Sequence, residues 1–251
     1  MLYGLYLSAT GVVTSSYKQD VVANNLANSE SVGFKRDLPM FQERLTEAAA
    51  RRQPGASNPL LEKLGGGLFA SPTRFDPRQG ELEMTGNALD VAIEGSGFFA
   101  VQDGGGSRLT RNGQFAVDRK GRLILANGEG QAVLDPAGKP VLLAPGLPTT
   151  IARDGTITQA GQPVGRVGFF DVPDPKRLIK QGGSLMAHPG QSLVPGAGSL
   201  RSEFVERANI DPATELAALM ETQRQLEANA NMIRYQDQTL GRLVNEVGKI
   251  G

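Results

Sequence analysis

The chain has no cysteine, no tryptophan and a single histidine, His188. Without cysteine there is no disulfide framework and no thiolate metal site. With one histidine, a multi-histidine metal centre is excluded as well. No excess of either charge exists: 26 Lys plus Arg stand against 26 Asp plus Glu. A nucleic-acid partner, which needs a basic surplus, is therefore not expected, and neither is an acidic solvating tail. Long apolar runs are missing too. No window reaches the roughly 18 apolar residues of a membrane-spanning helix, so direct membrane insertion is not expected. The first positive side chain, Lys18, follows the first apolar stretch, the reverse of a Sec signal peptide. Enzyme signatures are absent: no Gly-x-Ser-x-Gly, no P-loop, no His-Glu-x-x-His, no Gly-x-Gly-x-x-Gly at a strand-to-helix turn.

What is present is a chain of 251 residues, long enough to bury a core, that changes character twice. From about Met1 to Asn28, Leu2, Leu5, Ala9, Val12, Ser16, Gln19, Ala23 and Leu26 step by threes and fours. Such steps lay a narrow stripe along one helix face. Gly4 and Gly11 weaken this helix by about 1 kcal/mol each relative to alanine. A second, stronger helix is expected from about Asp211 to Lys249. Asp211 is a good N-cap, Pro212 suits the first helical position and Glu215 falls in the first turn. Leu216, Leu219, Gln223, Leu226, Ala230, Ile233, Asp237, Leu240, Val244 and Val247 again step by threes and fours. A seam this long asks for a partner helix, and the N-terminal one is available.

Between the helices the pattern is short apolar runs punctuated by turn pairs. Asp103-Gly104, Asn112-Gly113, Lys120-Gly121, Asn127-Gly128, Ala137-Gly138 and Asp154-Gly155 suit hairpin turns. Regular short strands with turn signals predict an all-β domain. The fold class read from the sequence is α+β: paired N- and C-terminal helices forming a coiled-coil-like stem, with an inserted all-β domain. The expected segments are an N-terminal stem helix over 1–35, an extended connector over 36–81, the all-β domain over 82–204 and the C-terminal stem helix over 205–251.

Few residues invite a chemical reading. His188 lies in the turn-like Met-Ala-His-Pro-Gly and reads as a loop histidine. Glu81 and Glu83, on one face if this stretch is a strand, would be a carboxylate pair for glycoside chemistry; acidic pairs on strands are far more often solvated. Gly104 to Gly106 reads as a hairpin loop, because no helix start follows to supply an anion site.

Four other stretches are specific together. Val22-Ala23-Asn24-Asn25-Leu26-Ala27-Asn28 followed by Gly33-Phe34-Lys35-Arg36, then the run from Asn87 to Phe99, then Thr110-Arg111-Asn112-Gly113 with Phe115 and Asp118, and finally Ala208-Asn209-Ile210-Asp211-Pro212 with Gln223 to Asn229 resemble the signatures of the bacterial flagellar rod and hook family. They occur in family order and span nearly the whole chain. Within that family, the closing run Val244 to Ile250 is most similar to the FlgF-type proximal rod proteins, and Arg52-Gln53-Pro54-Gly55 to the FlgG-type distal ones.

The resemblance implies a structural subunit of the flagellar basal-body rod that catalyses nothing and needs no cofactor or metal. It implies exit through the flagellar type III export apparatus without a Sec signal. It further implies polymerisation with copies of itself and with other rod and hook subunits into a periplasm-spanning driveshaft. The terminal helices would carry assembly, through Leu2, Leu5, Val12, Asn24, Asn25, Leu26, Asn28 and Phe34 on one side and Leu216, Leu219, Leu226, Ile233, Leu240, Val244 and Val247 on the other. For the asparagines two readings stay open: helix termination, with Asn28 as a C-cap, or hydrogen bonds to neighbouring subunits. Two other classes also remain open, a secreted β-rich binding module and a hydrolase using Glu81 or Glu83.

Overall fold

In the computed structural model, residues 2–43, 67–104, 106–182 and 184–247 are described. The chain forms two compact units. One comprises Met1–Ala27, Asp37–Arg74 and Asp211–Gly251; the other comprises Asn28–Arg36 and Phe75–Ile210.

The first unit is built on two long helices, α1 (Leu2–Ala27) and α2 (Pro212–Val247). The start of α2 follows from its first residues. The Asp211 carboxylate accepts the Ala213 N–H at 3.2 Å and the Thr214 hydroxyl, while its carbonyl accepts the Glu215 N–H at 3.0 Å. Orphan donors of the first turn are thereby satisfied. Those bonds hold the Asp211 carboxyl below the usual carboxylate range, the Thr214 hydroxyl contributing most. A two-stranded ribbon of β1 (Asp37–Glu43) and β2 (Leu68–Phe75) belongs largely to this unit. Tyr17 of α1 ties it down: its hydroxyl donates to Ser71 O at 2.7 Å, and its ring meets Phe41 edge-on at 6.0 Å. The stretch expected to be a connector therefore supplies two strands; residues 44–66, including Arg52 to Gly55, lie outside the described residues.

The second unit is all-β. Two short ladders join distant segments: β3 (Leu82–Met84) pairs β18 (Phe204–Glu206), and β4 (Val91–Glu94) pairs β17 (Ser199–Ser202). The largest sheet among the described residues runs β14 (Ile179–Lys180), β15 (Leu185–Ala187), β6 (Gly106–Thr110), β5 (Phe98–Asp103), β9 (Ala132–Val133), β8 (Leu123–Leu125), β7 (Phe115–Val117), all antiparallel. Strand β13 (Phe169–Asp171) pairs both β5 and β16 (Val194–Pro195), and β10 (Thr149–Ile151), β11 (Thr156–Gln159) and β12 (Gln162–Arg166) form a separate sheet.

Strand β5 shows why its sequence, Phe98-Phe99-Ala100-Val101, is apolar without a break. Alternation sends Phe99 and Val101 into a cluster with Val91, Ile93, Leu123 and Ile157, and Phe98 and Ala100 into another with Leu109, Leu134 and Met186. Both faces of the strand are covered, so neither tolerates polar residues. The turn signals mostly mark hairpins: Lys120-Gly121 closes β7–β8, Asn127-Gly128 closes β8–β9 and Asp154-Gly155 closes β10–β11, each glycine at positive φ. Asn112-Gly113 departs from that expectation. Gly113 stays out of the left-handed region, and a Cβ there would lie 1.7 Å from Val91 O. This glycine serves a close backbone approach between strands.

Candidate assembly site

Helices α1 and α2 run antiparallel, since the start of α1 lies against the end of α2. A Cβ on Gly4 would lie 2.8 Å from Gln236 Nε2, and one on Gly11 would lie 2.9 Å from Asn229. Near the other end, Asn25 Nδ2 reaches Glu215 Oε2 at 3.5 Å. The face of α1 toward its partner is small and polar. Gly4, Gly11 and Asn25 mark it, and Ser8, Thr14 and Ser15 are buried along α1 with Val21 and Val22. Buried hydroxyls are satisfied within the helix, as Thr14 shows by donating to Thr10 O at 2.9 Å. On α2 the corresponding stripe has Glu215 and Thr222 fully buried and Leu219, Leu226, Ala230, Ile233, Gln236 and Leu240 half-buried.

The expected assembly residues thus fall into groups. Leu5, Val12 and Leu26 on α1 and Leu219, Leu226, Ile233 and Leu240 on α2 are half-buried. Leu216 and Val244 are exposed, at 50% and 67%. Gln223 and Asp237, read as polar seam positions, are exposed, and the covered polar positions lie one residue earlier, at buried Thr222 and half-buried Gln236. The side chains of Leu2 and Val247 lie outside the described residues. Asn25 spends its amide inside the chain: Oδ1 accepts Asp37 N–H at 2.8 Å and Nδ2 donates to Asp37 O at 2.9 Å. Asn24 is exposed. Asn28 sits in the turn after α1, where its carbonyl accepts Ser31 N–H at 3.1 Å and its side chain accepts the Ser31 hydroxyl at 3.2 Å. Phe34 is buried in the β unit, its ring 3.7 Å from the Lys180 ammonium.

The β unit also contains a buried ionic cluster that the sequence did not single out. Lys35 Nζ meets Glu206 Oε1 at 2.6 Å and Arg111 Nη1 meets Glu206 Oε2 at 3.0 Å, with all three side chains at most 5% exposed. Gly80 N–H adds a bond to Oε1 at 2.9 Å, and Lys35 also donates to Arg78 O at 2.7 Å. Arg111 Nη2 donates to Gly95 O at 2.8 Å, and its guanidinium lies 5.2 Å over the Phe98 ring. Burial pushes the Lys35 ammonium pKa down against the opposing pull of Glu206. Gly33 makes the approach possible. It holds φ +66, and a Cβ there would lie 2.3 Å from the Arg111–Asn112 backbone. Its N–H donates to Glu206 O at 2.7 Å. Asn209 adds a polar clasp, accepting Arg36 N–H at 2.7 Å and donating to Asp76 O and Arg78 O. Lys35 and Arg111 lie in two of the quoted motifs, and Glu206 stands two residues before a third, which opens at Ala208.

Residues considered for catalysis sit elsewhere. Glu81 and Glu83 are exposed, and Glu83 pairs loosely with Arg207 at 3.5 Å. His188 Nδ1 lies 3.2 Å from Gln191 O in a loop. Among the described residues no group of three or more His, Asp or Glu is placed to hold a metal ion, and no helix is long and apolar enough to cross a membrane.

Comparison with known proteins connects these features. Three family models match in order: flagella basal body rod protein over residues 5–35, the flagellar hook protein FlgE/F/G D1 domain over 92–161, and the flagellar basal body rod FlgEFG protein C-terminal region over 201–246. Lys35, Arg111 and Glu206 fall one in each. The chain is 31% identical over 249 residues to the flagellar basal-body rod protein FlgF of Caulobacter vibrioides, covering 98% of both. It is 31% identical over 266 residues to the FlgG rod protein of Buchnera aphidicola subsp. Baizongia pistaciae, covering 97% of this chain and 99% of that one. It is 29% identical over 271 residues to the FlgG rod protein of Bacillus subtilis, covering 98% and 99%. Full-length likeness to named rod proteins, with three matched regions that each give one charge to a buried cluster, shows that this chain belongs to the flagellar basal-body rod protein family.

Proposed function

We propose that this chain is a structural, non-catalytic subunit of the flagellar rod, of the FlgF-type proximal class, and that it binds its neighbours through the outer faces of α1 and α2. The carrying observation is the apolar surface left on the helices after they pair. Val13 of α1 is 63% exposed, and Leu216, Met220, Met232, Tyr235 and Val244 of α2 are each at least half exposed. Apolar residues at this density along a helix mark a surface meant to be covered. Neighbouring subunits, copies of this chain or other rod and hook proteins, supply the cover in a head-to-tail array. The proximal assignment draws on length. The FlgF match runs 249 positions against a 251-residue chain, whereas the FlgG matches run 266 and 271 and so require insertions relative to it. Export through the flagellar type III apparatus and a periplasm-spanning position complete the reading.

The test is assembly in a strain carrying single changes. Leu216→Asp and Val244→Asp place charge on the outer face without touching the face toward α1; swarming and rod counts in isolated basal bodies should fall to background. Glu83→Gln and His188→Ala should swarm normally. Normal rods in both Asp variants would refute the outer-face interface, and lost swarming with intact rods in the Glu83 or His188 variants would reopen a chemical role.

A further inference from the structure

Three contacts between α1 and α2 share one spacing. Seven residues separate Gly4 from Gly11, and seven separate their partners Gln236 and Asn229; fourteen separate Gly11 from Asn25, and fourteen separate Asn229 from Glu215. The same spacing places Lys18 opposite Thr222, and Thr222 is fully buried. The helix pair therefore carries a polar rung every heptad: two amides seated on glycines, and one carboxylate against an asparagine amide. We propose that these rungs are the specificity determinants of the stem, so that α1 accepts α2 in one register only and rejects a helix lacking amides and a carboxylate at heptad spacing.

The physical reason is that the apolar part of the seam cannot choose. Leu219, Leu226, Ile233 and Leu240 are themselves seven apart, so a slip of one heptad returns an aliphatic side chain of α2 to each layer, against the small residues Ser8 and Ser15 or Val22 of α1. Polar layers break that degeneracy, because no slip keeps all of them in their seats. A slip in one direction brings the Asn229 amide from the open Gly11 onto Lys18. A slip in the other takes Gln236 off its glycine. Either slip withdraws Glu215 from Asn25. Gly4 and Gly11 are thus seats for amides, and their cost in helix propensity is offset by the register they fix.

The absence of cysteine gives a clean background for disulfide trapping in the full chain. Ser8 and Ile233 both lie between the first two rungs, so Ser8→Cys with Ile233→Cys reports the native register; Ser15→Cys with Ile233→Cys reports a slip of one heptad. With the rungs intact, the native reporter should close under mild oxidation at least about tenfold more than the slipped one, as a polar layer worth ~1.4 kcal/mol would give. With the rungs erased by Asn25→Leu, Glu215→Leu, Asn229→Ala and Gln236→Ala, the two reporters should close to similar extents. A slipped reporter that stays silent in the erased chain while the native one closes overturns the proposal. So does failure of both to close, which would make the rungs the source of pairing and not of its register. This readout needs no rod, so it stands apart from the assembly reading. The exchange Gly11→Asn with Asn229→Gly, which keeps the glycine count, should restore the native cross-link that Gly11→Asn alone weakens; no recovery counts against the proposal.

Discussion

At the residue scale, the ionic cluster dominates. Glu206 is the only carboxylate bonded to Lys35 and Arg111 among the described residues, so Glu206→Gln leaves two buried cations facing a neutral amide. Removing one partner of such a group costs about 3–5 kcal/mol. With ~2–4 °C per kcal/mol for a unit of this size, thermal unfolding of the β unit should drop by roughly 6–20 °C. Lys35→Met should cost less, since Glu206 keeps Arg111 and Gly80. Equal melting of the Glu206→Gln variant and the unaltered chain would show the cluster to be incidental. Asp76 supplies a pH-dependent counterpart. Arg78 bonds its carboxylate at 2.8 Å and holds its pKa below the usual range. A depressed carboxyl contributes stability above its unfolded value, about 3.9, and loses it as pH falls through the folded value. The stability gap between the unaltered chain and Asp76→Asn should thus be constant from pH 7 to about 4 and close below that. Melting curves from pH 7 to 2.5 decide it; a gap unchanged at pH 2.5 contradicts the assignment.

At the element scale, the helices were legible in existence and only partly in facing. Asp211, Pro212 and Glu215 mark the start of α2 because capping is local chemistry, readable over five residues. Leu219, Leu226, Ile233 and Leu240 point to the right stripe because apolar periodicity survives any partner. The polar seam positions came out one residue off, at Gln223 and Asp237 instead of Thr222 and Gln236. That shift depends on what α1 presents: a face of glycine, serine, threonine and asparagine that welcomes polar groups, which α2's own sequence does not reveal. The consequence is testable by comparing two substitutions. Ile233→Asn, on the half-buried side, loses roughly 1 kcal/mol of burial and places an amide between apolar neighbours. It should weaken the helix pair itself, seen as loss of hydrogen-exchange protection around Ser8 and position 233. Leu216→Asn, on the exposed side, should leave that protection unchanged and remove only assembly. Identical protection in both variants would mean that the two faces of α2 do not divide in this way.

At the scale of the whole molecule, the sequence gives the β domain its strands and turns but not its edges. A boundary drawn where the strand pattern starts and stops, at 82 and 204, follows local signals. The unit in the structure reaches further, to Phe75 and Ile210, and takes in Asn28–Arg36 from the far side of the ribbon. Those additions are held by pairings between residues more than a hundred positions apart, such as Val205 with Glu83 and Glu206 with Lys35. No window of sequence contains both partners. Cutting at 82 and 204 severs β18 from β3 and strands the buried Arg111 without its carboxylate. A fragment of 75–210 keeps both, together with Phe75 in its apolar cluster, and lacks only the 28–36 strap. Both fragments should be monomeric, because neither carries α1 or α2. The longer should unfold cooperatively, and the shorter should melt lower by the several kcal/mol that an unpaired buried cation costs, or fail to fold. The comparison is circular dichroism melting of the two fragments beside Glu206→Gln in the longer one. Restoring 75–81 and 205–210 without any gain in melting temperature would place the true boundary at the strand pattern. A gain that Glu206→Gln erases would assign it to the charge cluster, where three regions matched to the rod family meet to close the β unit.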